Sequence, residues 1–403
     1  MEAMNNVIYF DNNATTAVDP EVLDAMLPFF RGRYGNASSI HHFGGSVAAE
    51  IEKARIQVAN LLGADFRDKD GQATEIIFTS GGTESDNAAL AAATAARPER
   101  RRIVTSAVEH PAVLTTLRDY ERRGYEVVLI PVDGTGRLDL DFAARAIDGN
   151  TAVVSVMWAN NEIGNVYDVE ALADLAHRGG ALFHSDAVQA AGKIPIDLSK
   201  SAIDMLSISG HKLHAAKGVG VLFVRRGVRF RPFIMGGHQE RGRRGGTENV
   251  PGIVGMGKAA ELAQASLEYE RCELAALRDR LEAGVTARIP AVKVNGDLAS
   301  RLPNTASISF EGIEGEAILS LLDIHGICAS SGSACTTGSL EPSHVLRAMK
   351  IPYTSAHGTI RFSLSKFSTA AEVDRLHEVL PEVIATLRNM SPYWHQNRAE
   401  AGQ

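Results

Sequence analysis

Glu75-Ile76-Ile77-Phe78-Thr79-Ser80-Gly81-Gly82-Thr83-Glu84 is a short β-rich run that breaks into a glycine pair and opens a helix-forming stretch reaching Ala96. The β-branched and aromatic residues before Ser80 suit a pleated strand, and the glycines permit a tight exit. A Ser/Thr-bearing turn that starts a helix leaves backbone N–H groups in position to hold a phosphate. The same strand-then-helix order recurs down the chain. Further strand candidates are Arg102–Thr105, Val127–Val132, Thr151–Met157, Ala181–His184, Met205–Ile208 and Gly220–Val224, with helical stretches such as Val169–His177 between them. This alternation predicts an α/β fold with a mostly parallel, seven-stranded sheet covered by helices. The short connection after Lys212 allows the last pair to be antiparallel.

Two helices flank this core in the sequence. Between Ser46 and Leu62, the residues Ile51, Val58, Leu61 and Leu62 share a face, and Gly63 stands where a helix would stop. Between about Glu268 and Ile289, Leu274, Leu277, Leu281 and Val285 form an apolar stripe. The second helix follows the glycine-rich stretch Gly236–Gly257, which puts a domain boundary near residue 265. Residues 16–265 are then expected to form a large cofactor-binding domain. Residues 1–15 and 266–403, with the strand-like runs Thr305–Phe310 and Thr359–Leu364, make a smaller α+β domain. At 403 residues, 45% of them hydrophobic, the chain exceeds what one compact core usually holds.

Composition narrows the partners. Lys plus Arg number 41 and Asp plus Glu 48, a net charge of −7, which argues against general nucleic-acid binding. The three cysteines, Cys272, Cys328 and Cys335, are too sparse for a disulfide framework, and their spacing fits no CxxC zinc pattern. A reducing compartment follows. The start, MEAMNNVIYFDNNATT, lacks the basic and apolar regions of a secretory signal. No apolar run approaches the ~20 residues that span a bilayer. The expected location is the cytoplasm, with no membrane partner.

The chemistry gathers at strand ends. Ser209-Gly210-His211-Lys212 closes one predicted strand, and Phe183-His184-Ser185-Asp186 closes another. A lysine past a strand can be a solvated loop cation. Here it has an acid, Asp186, at the same sheet edge, a phosphate-suited turn at Thr79–Glu84, and an imidazole in Val108-Glu109-His110-Pro111. Carboxyl ends of strands are where open α/β sheets bind ligands. Pyridoxal phosphate requires this set: an amine for a Schiff base, an anion for the pyridine nitrogen, and fixed donors for the phosphate. Arg361, among apolar neighbours in Thr359-Ile360-Arg361-Phe362-Ser363, needs a buried partner. A substrate carboxylate or a structural ion pair would serve. Cys335 is ringed by Ser330, Ser331, Gly332, Ser333, Ala334, Thr336, Thr337, Gly338 and Ser339, a small and polar setting that suits a reactive thiol. Cys328, in an apolar run, reads as core, and Cys272, on a charged helix face, as inert.

Taken together, Asp11-Asn12-Asn13-Ala14-Thr15-Thr16, Gly82-Thr83-Glu84-Ser85, Glu109-His110-Pro111 and His184-Ser185-Asp186-Ala187-Val188-Gln189 resemble the cysteine desulfurases of the NifS/IscS group, class-V aminotransferases. Ser209-Gly210-His211-Lys212, Gly246-Thr247-Glu248-Asn249 and Ser330-Ser331-Gly332-Ser333-Ala334-Cys335 extend the likeness from residue 9 to about 394. Met157-Trp158-Ala159-Asn160-Asn161, Gly237–Arg244 and Ser391-Pro392-Tyr393-Trp394 resemble the nitrogen-fixation branch, NifS, more than the housekeeping one.

The resemblance implies a pyridoxal-phosphate fold of type I. Lys212 would bind the cofactor and then move the substrate α-proton. Asp186 would face the pyridine nitrogen, Gln189 the ring hydroxyl, and His110 would stack on the ring. Gly82, Thr83, Ser209, Gly210 and His211 would surround the phosphate, with Thr247 reaching it from the other subunit of a homodimer. Asn161 and Arg361 would meet the substrate, L-cysteine. Cys335 would take its sulfur as a persulfide, leaving L-alanine, and pass it to an iron–sulfur scaffold protein, sharing an iron–sulfur ligand role briefly in that complex. Ala215-Ala216 departs from the glycine or proline more usual after such a lysine. A selenocysteine lyase, an aminotransferase or a non-catalytic sulfur-carrier scaffold remain alternatives at this level. A transaminase has no use for the Cys335 thiol.

Overall fold

The computed structural model describes residues 7–64, 66–331 and 342–394. A short strand β1 (Ile8–Tyr9) leads into helices α1 (Pro20–Arg31) and α2 (His42–Leu61). The main sheet follows: β2 (Ile76–Thr79), β3 (Arg102–Ser106), β4 (Glu126–Ile130), β5 (Thr151–Ser155), β6 (Leu182–Asp186), β7 (Met205–Ser209) and β8 (Gly220–Val224). These seven strands lie in the order β2-β8-β7-β6-β5-β3-β4. Only β8 runs against its neighbours, pairing antiparallel with β2 and β7, as the short link after Lys212 allows. The strands β5, β6 and β7 are buried along their whole length, the expected state of a sheet with helices on both faces. Helix α3 (Gly82–Ala96) leaves β2 and helix α4 (Pro111–Arg122) leaves the loop after β3.

Two boundaries differ from the sequence reading. Helix α2 begins at His42, four residues early, because His41 caps it with Nδ1 accepting from the Gly44 N–H at 3.0 Å. The second flanking helix begins at Val250, not near Glu268. It runs through a π turn at Glu270–Leu274 into Ala275–Arg288, with no break at residue 265. The glycines that read as a loop are inside this helix because other elements press on them. A Cβ on Gly257 would lie 2.5 Å from the Ala54 Cα of α2, and one on Gly255 would lie 2.7 Å from the Met26 sulfur of α1. Close approach of helices, rather than chain freedom, accounts for these glycines.

The helix joins two apolar clusters. Its residues up to Ala260 pack with the main-sheet core, and Leu274, Leu281 and Val285 pack with Phe10, Ile308, Phe310, Ile360 and Phe362. The second cluster lies under an antiparallel sheet of β9 (Val292–Val294), β10 (Thr305–Phe310) and, after β11 (Ile327–Cys328), β12 (Thr359–Ser363), in the order β12-β10-β9. Leu302, Val345, Leu346 and Met349 pack with the main-sheet cluster although they follow residue 266. The segment after β1 bridges the two sheets: the Asn13 N–H donates to Ser363 Oγ at 2.9 Å, and the Thr16 N–H to the His211 carbonyl at 2.9 Å. Among the described residues no helix is long and apolar enough to cross a membrane, and no group of three or more His, Cys, Asp or Glu is placed to hold a metal ion.

Candidate active site

The carboxyl ends of the main strands open onto a cavity of about 330 Å³. It is lined by Gly82, Thr83, His110, Asn161, Asp186, Gln189, Ser209, His211, Lys212 and Arg361. Gly210 sits in the turn just behind, between Ser209 and Lys212. A neighbouring cleft of about 400 Å³ lies at the start of α3, against Gly81, Gly82, Thr83, Ser209 and His211. Helix α3 opens without a side-chain cap at Gly81, so its first N–H groups are available to an anion. Glycine is required here by space. A Cβ on Gly82 would lie 2.8 Å from the Val188 side chain, and one on Gly220 2.6 Å from the Gly81 backbone.

Lys212 stands at the end of a single 3₁₀ turn after β7. Its amine donates to the carbonyl oxygens of Asn13 and, at 2.8 Å, Ala14. Burial, with Lys193 and Arg361 nearby, pulls its pKa down to about 7, against the opposing pull of Asp11 and Asp186. A large fraction of the amine is therefore neutral at physiological pH, the form that attacks a carbonyl and accepts a proton. The turn is closed by backbone bonds, the Leu213 and Ala215 N–H groups donating to the Gly210 carbonyl at 2.8 and 3.0 Å.

Asp186 ends β6, with Oδ1 accepting from the Val188 N–H at 2.9 Å. Burial pushes its pKa up, while His110 and Lys212 draw it down. A second carboxyl, Asp86 of α3, lines the same cavity. Burial, then the charge of Asp186, holds Asp86 well above the usual carboxylate range, and its Oδ1 has no hydrogen-bond partner. Two carboxyls buried in one cavity disfavour a second negative charge, and Asp86, with an unpartnered oxygen, is the one held neutral, while Asp186 has the Val188 N–H to steady its charge. Asp86 was not foreseen, although it follows directly on the Gly82–Ser85 turn.

His110 does two things at once. It is the N-cap of α4, its Nδ1 accepting from the Ala112 N–H at 3.1 Å, and its ring lines the cavity. An accepting Nδ1 leaves the proton of the neutral ring on Nε2. Burial lowers the His110 pKa first, then Lys212 and His344, with Asp186 opposing, so the ring is neutral at pH 7. Beneath it the buried Glu109 is pushed up to about 8 by burial and takes 3.0 Å hydrogen bonds from the Met157 N–H.

Arg361 reaches the cavity from β12 at 2% exposure, so it cannot be a solvated cation. Nη2 meets Asp11 Oδ1 at 2.6 Å and Nη1 donates to the Asn161 carbonyl at 2.9 Å, while Nε has no partner. The ion pair expected as one reading of Arg361 is present, and one buried donor remains unsatisfied. The residue sequence reasoning underrated is Asn13. Its carbonyl accepts from Lys212 and Gln189, and its side chain donates to the Asn161 carbonyl at 3.1 Å and Thr305 Oγ1 at 2.8 Å. The Asp11–Thr16 motif was the signal for it, without a role attached.

Thr247 is exposed and lies outside its own chain's cavity lining. Cys335 lies outside the described residues. The chain on either side of it is held at the cavity walls. Ser330 exchanges backbone hydrogen bonds with Arg361, at 3.2 and 2.6 Å, and His344 Nε2 lies 2.9 Å from the Glu109 carbonyl, beside His110. Cys328 is only partly buried, in β11 at the edge of its cluster, and Cys272 is exposed, its thiol donating to Glu268 at 3.2 Å.

The class-V aminotransferase family model matches residues 8–376. A cysteine desulfurase of Gluconacetobacter diazotrophicus is 60% identical over 390 residues, covering 96% of each chain. The cysteine desulfurase NifS of Azotobacter vinelandii is 57% identical over 390 residues, 97% of this chain and 96% of its own. Among solved structures a NifS-like protein, 39% identical, superposes with a TM-score of 0.87 over 95% of this chain and all of the other. With the lysine, the acid and the anion cleft converging on one sheet edge, the chain belongs to the class-V aminotransferase family, and within it to the cysteine desulfurases.

Proposed function

We propose that this chain is a pyridoxal-phosphate-dependent cysteine desulfurase, converting L-cysteine to L-alanine and holding the sulfur as a persulfide on Cys335. The observation that carries the reading is the largely neutral Lys212 amine facing Asp186 in one cavity, next to a helix N-terminus with uncapped donors. This donor set fits the cofactor: an amine for its carbonyl, a carboxylate for its pyridine nitrogen, and Thr83, Ser209 and His211 around the cleft for its phosphate, with Gly210 behind them, its N–H donating to the Val219 carbonyl at 3.0 Å.

When bound, pyridoxal phosphate supplies an electron sink for the pair released at the substrate α-carbon. Lys212 would hold it and would then carry the α-proton. Asp186 would supply the negative charge for its pyridine nitrogen. Gln189 would offer an N–H to its ring oxygen, and His110 would bound the site with its Nε2 proton available to the substrate. Arg361 Nε, with Asn161 alongside, receives the substrate carboxylate. The Cys335 thiolate attacks the substrate sulfur, so an S–S bond forms as the C–S bond breaks, and the β-carbon takes a proton to end as alanine. The anchoring of Ser330 and His344 at the cavity walls supports this role for the segment between them.

The enzyme acts as a homodimer, with Thr247 of one copy completing the phosphate site of the other; its exposure away from its own cavity supports this. In this reading residues 16–265 hold the cofactor, and residues 1–15 and 266–403 carry the sulfur-accepting cysteine. The persulfide passes to an iron–sulfur scaffold protein in the cytoplasm. Likeness to NifS favours nitrogenase clusters as the destination, with Cys335 a transient cluster ligand. The test is alanine and sulfide release from L-cysteine. The Cys335→Ala variant should keep its cofactor and lose both products, and the parent should gain one sulfur on the Cys335 peptide by mass spectrometry. Undiminished alanine release by the variant would refute the mechanism.

A further inference from the structure

Behind Lys212, on the side away from the cofactor cavity, lies a second cavity of about 30 Å³. Its titratable lining is Lys212, Lys193, Glu270, Asp19, Lys366 and His214. Asp19 and Lys366 pair with each other at 2.5 Å, and His214 is tied to the Ala17 carbonyl at 2.9 Å. Lys193 is different. It is 8% exposed, and its amine donates to two oxygens of one residue, the Gln189 carbonyl at 3.2 Å and the Gln189 Oε1 at 3.1 Å. The Gln189 side-chain nitrogen in turn donates to the Asn13 carbonyl at 3.0 Å, the carbonyl that also accepts from Lys212.

This chain of bonds has only one workable direction. An ammonium group has donors and no acceptor, so the oxygen end of the Gln189 amide must face Lys193. Turning the amide over would set nitrogen against ammonium and oxygen against carbonyl, losing two buried hydrogen bonds at once. With the oxygen held at the back, the amide nitrogen is held at the front, where Gln189 lines the cofactor cavity beside Asp186. One of its two N–H bonds serves Asn13, which leaves the other for the cavity. The geometry points to Lys193 as a positioning residue. It fixes the Gln189 amide so that a donor, not an acceptor, faces the ring oxygen of the cofactor. Glu270, from the π turn, shares the rear cavity, where its charge opposes the lowering of the Lys193 pKa by burial; its Oε2 has no hydrogen-bond partner.

This inference rests on reading the front cavity as the pyridoxal phosphate site, so the experiment starts with that. In the parent, borohydride must fix the cofactor to Lys212; if it does not, the site reading fails and Lys193 is not at issue. In the loaded full-length enzyme, the pH titration of the cofactor absorbance band is then compared across variants. Losing a donor to the ring oxygen makes that oxygen more basic. Lys193→Met should therefore raise the midpoint by about one unit and speed cofactor loss about tenfold, leaving KM for cysteine nearly unchanged. Lys193→Arg, which keeps the donors, should restore the parent midpoint. In a Gln189→Ala background the Lys193→Met shift should shrink to less than half, because the two residues act through one bond. A loaded Lys193→Met with the parent midpoint, or an undiminished shift in the Gln189→Ala background, overturns the proposal. If Lys193→Met does not fold, Lys193→Gln is titrated instead, since its amide can donate from the same place. A midpoint near the parent supports the proposal, and a full one-unit shift refutes it.

Discussion

Two cavities meet at Lys212 and they are built differently. The front one, about 330 Å³, is walled by a mixture of groups: the imidazoles of His110 and His211, the carboxyls of Asp86 and Asp186, a guanidinium with a spare N–H, and Gly82, which keeps space open. The rear one, about 30 Å³, has room for little more than a water molecule. Its charges are Lys366 with Asp19 and Lys193 near Glu270. Volume and unpaired donors mark the side where a ligand enters; paired charge in a small space marks the side that holds the lysine's surroundings still. Burial does most to lower the Lys212 pKa, and Lys193 behind and Arg361 in front add to it against the opposing pull of Asp11 and Asp186.

The contrast breaks most sharply at the shared lysine. Lys212→Ala should lose turnover by about a thousandfold or more and lose all borohydride-fixed cofactor, read as the mass of the protein. If the label moved to Lys193, the distinction between a reacting front and a supporting rear would collapse. Next in size is the front wall. Arg361→Gln should raise KM for cysteine about a hundredfold with a smaller change in kcat, because it removes a carboxylate contact made before the chemistry. A fall in Tm with KM unchanged would make Arg361 purely the partner of Asp11.

A smaller effect sharpens the electrostatic half of the comparison. Only the neutral amine takes up the cofactor, so with its pKa at about 7 the rate of reconstitution of the apoprotein should fall about tenfold for each pH unit below that value and level off above it. A profile that levels only near pH 10 would mean that neither burial nor the flanking cations act on Lys212. The smallest effect belongs to the rear. Burial raises the Glu270 pKa to about 7 from the ordinary 4.5, so the folded protein binds the extra proton between those values and loses stability as pH rises through them. Glu270→Gln removes that slope. Its Tm should gain on the parent by a few degrees between pH 5 and pH 8, by calorimetry, with turnover changed less than about tenfold. A Tm difference that is the same at both pH values would show that Glu270 does not titrate in that window.

How much of this was legible depended on range. The strand Ile76–Thr79 and the turn into α3 are local, governed by β propensity and two glycines, and they fall within two residues of where the sequence puts them. His110 was legible as a site residue for the same reason, with its capping role hidden only because N-caps are seldom histidine. The helix from Val250 was not legible. Glycine reads as a loop signal, and only the neighbours Ala54 and Met26, some two hundred residues away, show that Gly257 and Gly255 are contact points. Asp86 escaped because a carboxyl near the start of a helix is ordinarily a solvated charge, and only the packing of α3 on the sheet buries it.

By itself the sequence determined the order of strands and helices and the family to which the chain belongs, and it nominated the lysine, acid, imidazole and thiol. Those are properties of short windows: periodicity, turn chemistry and the demands of one cofactor on residue type. Tertiary structure alone decided which atoms meet. Asn13 reaches Lys212 across 199 positions, Arg361 reaches Asp11 across 350, and Lys193 acquires its meaning from the direction of one amide. No local preference encodes such pairings, because they arise when burial of two apolar clusters carries distant polar groups into the same small space. Once there, each must find a partner or remain unsatisfied at a cost of about 1–3 kcal/mol.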